Sequence, residues 1–163
     1  MPHKYLAKEF EDLARSSSDA KSVMQRVSER IHAHIPRYNW VGFYLLDQKD
    51  PETLVLGPNM GSFTPNPRIS VNQGLCGAAF STGRVVVADN VAEDPRYLRT
   101  SDMVKSQISV PVTGGGKPMA VFNVESYFMS TFKPTVERAF VETCARIIAG
   151  CVERTGARNF VGV

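Results

Sequence analysis

The sequence predicts an α/β (α+β) sandwich: a largely antiparallel sheet with the terminal helices on one face. Three observations carry this. The patterns run helix–helix, strands, a helical insert, strands, helix. The strand-like segments alternate apolar with polar or aromatic residues, so each can be read as two faces. A hydrophobic fraction of 43% against 21% charged, in 163 residues, suits one soluble domain with a real core and is too short for two. No repeat, linker or low-complexity stretch divides the chain, so residues 1–163 are read as a single domain.

Residues from about Lys4 to Arg15 read as a short helix closed by Ser16-Ser17-Ser18. Asp19 or Ser18 then caps a second helix, in which Met24, Val27, Ile31 and Ile35 recur at helical spacing until Pro36 ends it. "YNWVGFYLLD" is the clearest strand, and "ETLVLG" follows it across the turn "QKDP". A proline-rich loop leads to the short strand "RISV". Gly74 to Gly83 looks helical and runs into the strand "RVVVAD". "NVAEDPRYLRTSD" is a loop with a turn or two of helix. "SQISVPVT" and "PMAVFNVES" are strands joined by Gly114-Gly115-Gly116. The last helix runs from about Pro134 to Arg154, with Val136, Phe140, Cys144, Ile147, Ile148 and Cys151 on one stripe.

Period-two reading puts Val41, Phe43 and Leu45 on one face of the sheet with Ile108, Val110, Val112, Phe122 and Val124. This apolar face belongs under the helices. The other face carries Trp40, Tyr44, Gln107, Ser109, Asn123 and Glu125. An antiparallel sheet can leave such a face in water. Two aromatics beside amides and a carboxylate equally suit a small-molecule pocket. The pattern alone leaves both readings open.

Several function classes are disfavoured. The net charge of +3 is small and scattered, and "RYLRTSDMVK" is interrupted by Asp102, so no nucleic-acid partner is expected. The charged N-terminus is not a signal peptide, and no run of about 18 apolar residues would span a membrane. Three cysteines at irregular spacing form no disulfide framework, which points to a reducing, cytoplasmic setting.

In "NWVGFYLLD", "LVLGP", "RISVNQGLCGAAFSTGRVVVADNV" and "SVPV…AVFNVES" the chain resembles a GAF domain, and within that family the branch containing the free methionine-(R)-sulfoxide reductases. The resemblance covers nearly the whole chain. It implies a sheet of about six strands with helices behind it, a buried ligand pocket in front, and often a homodimer. It thereby favours the pocket over the solvated face.

Reductases of that branch use cysteine chemistry. A thiolate attacks the sulfoxide sulfur, becomes a sulfenic acid and is resolved by a second cysteine. The resemblance puts the attacking cysteine at Thr100 and the resolving one at Asn66, leaving only the third, in the Gly-x-Cys-Gly turn, as Cys76. A family glutamate corresponds to Gln107, and two aspartates to Asn123 and Glu125, while the aromatic wall of Trp40 and Tyr44 is kept. The binding scaffold thus persists while the reacting groups are largely replaced. Thr100 carries a hydroxyl with no evident base beside it. Asp94-Pro95-Arg96-Tyr97 resembles a pattern of sensory GAF domains.

Cys76 opens a helical segment, where a helix N-terminus could lower a thiol pKa; a buried small residue is the simpler reading. Cys144 and Cys151 read as packing residues. His32 and His34 are two apart on a helix and point in different directions, and no cluster supplies further ligands, so no metal or cofactor is expected. "GGGKP" is not a phosphate loop, because Pro118 stands where Ser or Thr is needed. There is no Gly-x-Ser-x-Gly elbow.

The expectation is a stand-alone signalling domain that binds a small molecule through Trp40, Tyr44, Gln107, Asn123, Glu125 and Thr100 without catalysis. A homodimer is expected through helices at about 4–35 and 134–154. The alternative is a divergent free methionine-(R)-sulfoxide reductase with Cys76 as nucleophile. A third reading is a degenerate subunit that only assembles.

Overall fold

The computed structural model describes residues 1–156; the single-domain expectation for 1–163 extends beyond them. Helix α1 (His3–Ser16) buries Leu6, Phe10 and Ala14. Helix α2 (Ala20–His34) starts at the Asp19 cap, whose carboxylate accepts from the Lys21 N–H at 3.2 Å and from the Ser22 hydroxyl. It stops before Ile35-Pro36, because the residue preceding a proline is pushed out of the helical region, and Ile35 is extended.

Strands β1 (Trp40–Leu46) and β2 (Thr53–Gly61) form a hairpin, with Asp50 accepting from the Glu52 N–H and the Thr53 hydroxyl in its turn. β2 runs past its expected end at Gly57 and through Pro58. The reason lies in its neighbours: β3 (Arg68–Ser70) pairs only with Thr53–Val55, so the later part of β2 has one open edge where proline is tolerated. Then come α3 (Gly74–Thr82), β4 (Val86–Ala88), a 3₁₀ turn at Val91–Glu93, β5 (Ser106–Gly114), β6 (Lys117–Ser126) and α4 (Thr135–Thr155). The β5–β6 turn is Gly115-Gly116, both at positive φ (62° and 80°), which a tight hairpin of this kind requires.

All pairings are antiparallel, in the order β3-β2-β1-β6-β5-β4. The two central strands come from opposite ends of the sequence. α2 and α4 pack on one face, and α1 lies on both of them. That side holds the larger core: Val41, Phe43, Leu45, Ile108, Val110, Val112, Phe122 and Val124 meet Met24, Val27, Ile31, Phe140, Cys144 and Ile148. Phe43 and Phe122, partners across β1 and β6, stack at 4.6 Å.

One expectation about the helices changes. Val136 is 46% exposed, and the buried stripe of α4 begins at Phe140. The turn before it borders an open groove lined by His3, Pro134 and Glu137, with no core to cover it. Helix α1 covers part of the apolar surface of α2 and α4. Among the described residues no helix is long and apolar enough to cross a membrane.

The opposite face is not open either. α3 packs there against β4, β5 and β6, making a second core from Trp40, Tyr44, Leu54, Ile69, Leu75, Cys76, Ala79 and Val121.

Candidate functional site

The site is built on the α3 side of the central strands, where the register fixes what stands beside what. Gln107 on β5 faces Glu125 on β6, which faces Trp40 on β1; in the next row, Ser109 faces Asn123, which faces Gly42. Each of these pairs is directly opposite across the sheet, so their side chains meet. None is solvated: Gln107, Ser109, Asn123 and Glu125 are all buried. The solvated-face alternative is therefore set aside.

Buried polar groups need partners, and these supply one another. The Asn123 side-chain oxygen accepts from Gln107 Nε2 at 2.9 Å and from Ser109 Oγ at 2.8 Å. Two donors on that oxygen fix the amide, so its Nδ2 donates to Glu125 Oε2 at 3.1 Å. The other carboxylate oxygen, Oε1, accepts from Thr100 Oγ1 at 3.0 Å. Thr100 thus has a carboxylate beside it, which the sequence did not reveal. Both donors to Glu125 are neutral, and among the described residues no Lys, Arg or His pairs with it. Burial without a counter-charge pushes its pKa up to about 7, against the lowering effect of the Thr100 and Asn123 bonds. Both protonation states are therefore populated near neutral pH.

Cys76 closes the network from above. Its Sγ lies 3.6 Å from Ser109 Oγ and 4.0 Å from Gln107 Nε2. Cys76 is buried, as the simpler reading of it expects. Burial dominates and pushes the thiol well up, with the Ser109 contact only partly opposing it. Cys144 and Cys151 are buried in the core on the other side of the sheet. A sulfenic acid at Cys76 has no cysteine within reach on its own side.

These groups surround a cavity lined by Tyr44, Asn66, Leu98, Thr100, Gln107 and Glu125, with Cys76 and Asn123 among its remaining walls. Tyr44 donates to the Asn66 carbonyl at 2.7 Å. The cavity measures about 20 Å³, room for a single water and not for an amino acid or purine. Trp40 does not reach its lining. The indole lies over Gly42 and Gly61, where an added Cβ at Gly42 would come within 2.7 Å of Trp40 Cη2. Phe63 covers its other side at 6.3 Å, and the buried indole Nε1 has no partner.

Of the six ligand contacts expected from sequence, the structure brings together Tyr44, Gln107, Asn123, Glu125 and Thr100, sets Trp40 behind Phe63, and places the candidate nucleophile Cys76 beside the five. Ser109 was visible in the alternation. Leu98 and Phe63 had no signal beyond lying in loops. Among the described residues no three His, Cys, Asp or Glu side chains converge as a metal centre would.

The fold and site define an α+β domain that encloses a polar pocket between a six-stranded antiparallel sheet and a helix–loop cover. The chain belongs to the GAF domain family, whose model matches residues 17–153. It is 27% identical over 150 residues to Protein YtsP of Bacillus subtilis, spanning 90% of this chain and 91% of that one. It is 31% identical over 111 residues to the free methionine-R-sulfoxide reductase of Saccharomyces cerevisiae, covering 68% of this chain and 61% of the yeast protein. Among solved structures, the free methionine-R-sulfoxide reductase of Neisseria meningitidis in complex with its substrate superposes with a TM-score of 0.87. That likeness, at 24% identity over 94% of this chain and 89% of the other, concerns the fold.

Proposed function

We propose that this GAF domain binds a small polar molecule at the Gln107–Asn123–Glu125 network and does so without catalysis, as a signalling module. One observation carries the reading: a complete set of buried, mutually oriented polar side chains faces a cavity whose only thiol is buried and raised in pKa. A nucleophilic thiol needs the thiolate, and this environment disfavours it. Thr100 stands where the resemblance places the attacking cysteine, and its hydroxyl is engaged by Glu125.

The chain has one tryptophan, so Trp40 fluorescence reports on this side of the sheet alone. Titration with free amino acids, methionine sulfoxide and purines is expected to give a saturable change for one class. The decisive assay is turnover of free L-methionine-(R)-sulfoxide with dithiothreitol, wild type beside Cys76→Ser. No Cys76-dependent turnover is expected.

The alternative, a reductase using Cys76, is favoured by relatives that bear that name and by the position of Sγ on the cavity wall. Turnover lost in Cys76→Ser establishes it and overturns the non-catalytic reading. In that case thiolate attack releases methionine and leaves a sulfenic acid, which dithiothreitol reduces with loss of water. The homodimer belongs to the same proposal, with exposed Tyr5 and Val136 on the terminal helices at its surface. A strictly monomeric species by light scattering at micromolar concentrations removes it.

A further inference from the structure

The cavity is too small for the ligand that the proposed function requires, so some part of its wall has to move. Three elements form most of that wall, and Asn66 of the loop before β3, held by the Tyr44 hydroxyl, completes it. The sheet is the rigid floor, bonded along both edges of every central strand. α3 is anchored through its N-terminal turn, where Gly77 lies so close to Val71 that an added Cβ would meet the Val71 carbonyl at 2.9 Å. The third element, residues 94–103, is different in kind.

This segment hangs between two buried anchors, Val91 and Val104. Its own hydrogen bonds and ion pairs are mostly internal: Tyr97 N–H to the Asp94 carbonyl, Arg96 to the Asp94 carboxylate, the Arg99–Asp102 ion pair, and the Met103 N–H to Ser101 Oγ. Tyr97 and Leu98 pack against the smaller core, and the Tyr97 hydroxyl lies beside Thr100 without meeting hydrogen-bond geometry. Leu98 approaches Gly74, where an added Cβ would meet Leu98 Cβ at 3.2 Å. Apart from the backbone bonds at its two ends, Asp94 N–H to the Val91 carbonyl and Val104 N–H to the Ser101 carbonyl, one hydrogen bond among the described residues ties 94–103 to the rest of the protein, and it is Thr100 Oγ1 to Glu125 Oε1.

We propose that the Thr100–Glu125 hydrogen bond is the latch of the pocket: it holds the 94–103 segment down over the cavity, and its rupture is the step that admits a ligand. The inference rests on the binding role given above, yet the latch is a property of the empty protein. The latched hydroxyl sits on the very carboxylate that an incoming molecule would seek. Entry and unlatching thereby become one event: an occupant that brings a donor to Glu125 Oε1 takes the place of Thr100. A hydrogen bond to a carboxylate is strong enough to hold a short segment and weak enough to be exchanged. The released segment would carry the exposed side chains of Arg96 and Arg99 with it, changing the surface that a partner meets.

The three cysteines provide the test. Cys76 lies on the cavity wall, whereas Cys144 and Cys151 are buried behind the sheet and report only general unfolding. Ligand-free wild type, Thr100→Val and Thr100→Ser are labelled with iodoacetamide, and the labelled positions are mapped by peptide mass spectrometry. Trypsin cleavage after Arg99 is followed in parallel. Thr100→Val keeps the shape and removes the donor. Labelling of Cys76 and cleavage at Arg99 are expected to rise about tenfold in it, the scale of one charge-assisted hydrogen bond. Thr100→Ser restores wild-type rates, and Cys144 labelling stays unchanged throughout. Equal Cys76 labelling in wild type and Thr100→Val overturns the latch, as does a rise matched by Cys144. Failure of the binding role shows differently: no probe alters Trp40 fluorescence in any of the three proteins, while the labelling pattern still reports the latch.

Discussion

The two faces of the sheet use the same strands for opposite ends. Toward α2 and α4, β1, β5 and β6 present Val, Ile, Leu, Phe and Ala to the larger core. Toward α3, the alternate residues of the same strands present Gln107, Ser109, Asn123 and Glu125 around a small void. The first face is stable because every side chain contributes apolar burial. The second exchanges that gain for a hydrogen-bonded network containing a carboxyl with no counter-ion. The difference separates the part of the molecule that holds the fold from the part that is free to specialise.

The comparison breaks most visibly at its apolar side. Phe122→Ala removes one ring of the Phe43–Phe122 stack from the larger core and should cost about 3–5 kcal/mol, read by urea denaturation. On the polar side, Glu125→Gln should stabilise instead, in a pH-dependent way. The folded-state pKa of Glu125, about 7, lies above its ordinary value. Its favourable contribution is therefore fully present below about pH 4 and is lost as pH rises through 7. The variant should match wild type near pH 4 and exceed it by on the order of 3 kcal/mol above pH 8. A difference independent of pH would mean that Glu125 titrates normally.

Asn123→Ala sharpens the contrast further. It strands the Gln107 and Ser109 donors and should cost about 1–3 kcal/mol, more than its few lost atoms would in an apolar site. Tyr44→Phe, which removes only the bond to the Asn66 carbonyl, should cost about 0.5–1.5 kcal/mol in the same assay.

The division between faces was legible because alternation needs no tertiary information. Val41, Phe43 and Leu45 separate from Trp40, Gly42 and Tyr44 by period two alone. The family resemblance then marked Gln107, Asn123 and Glu125 as pocket residues. What escaped depends on loops crossing long distances. The Thr100–Glu125 bond joins positions far apart in sequence, so a hydroxyl without an evident base turned out to be bonded to a carboxylate. Trp40 was placed on the correct face, yet nothing in the sequence said that Phe63 would fold over it. Val136 fits the periodicity of α4 but precedes the point where the core begins. Cys76 was legible as a buried small residue, but its contact with Ser109 across the two elements was not.

The position of β1 beside β6 also governs how the molecule is made. The β1–β2 hairpin leaves the ribosome early, with Val41, Phe43 and Leu45 already facing outward, but its second neighbour is synthesised only after most of the chain. At ordinary elongation rates that wait lasts on the order of several seconds. During it an open strand edge faces neighbouring chains, a condition that favours misassembly. Arrival of β6 ends that exposure and delivers Asn123 and Glu125 in the same stroke, so the nascent chain acquires its pocket only when it ceases to be sticky.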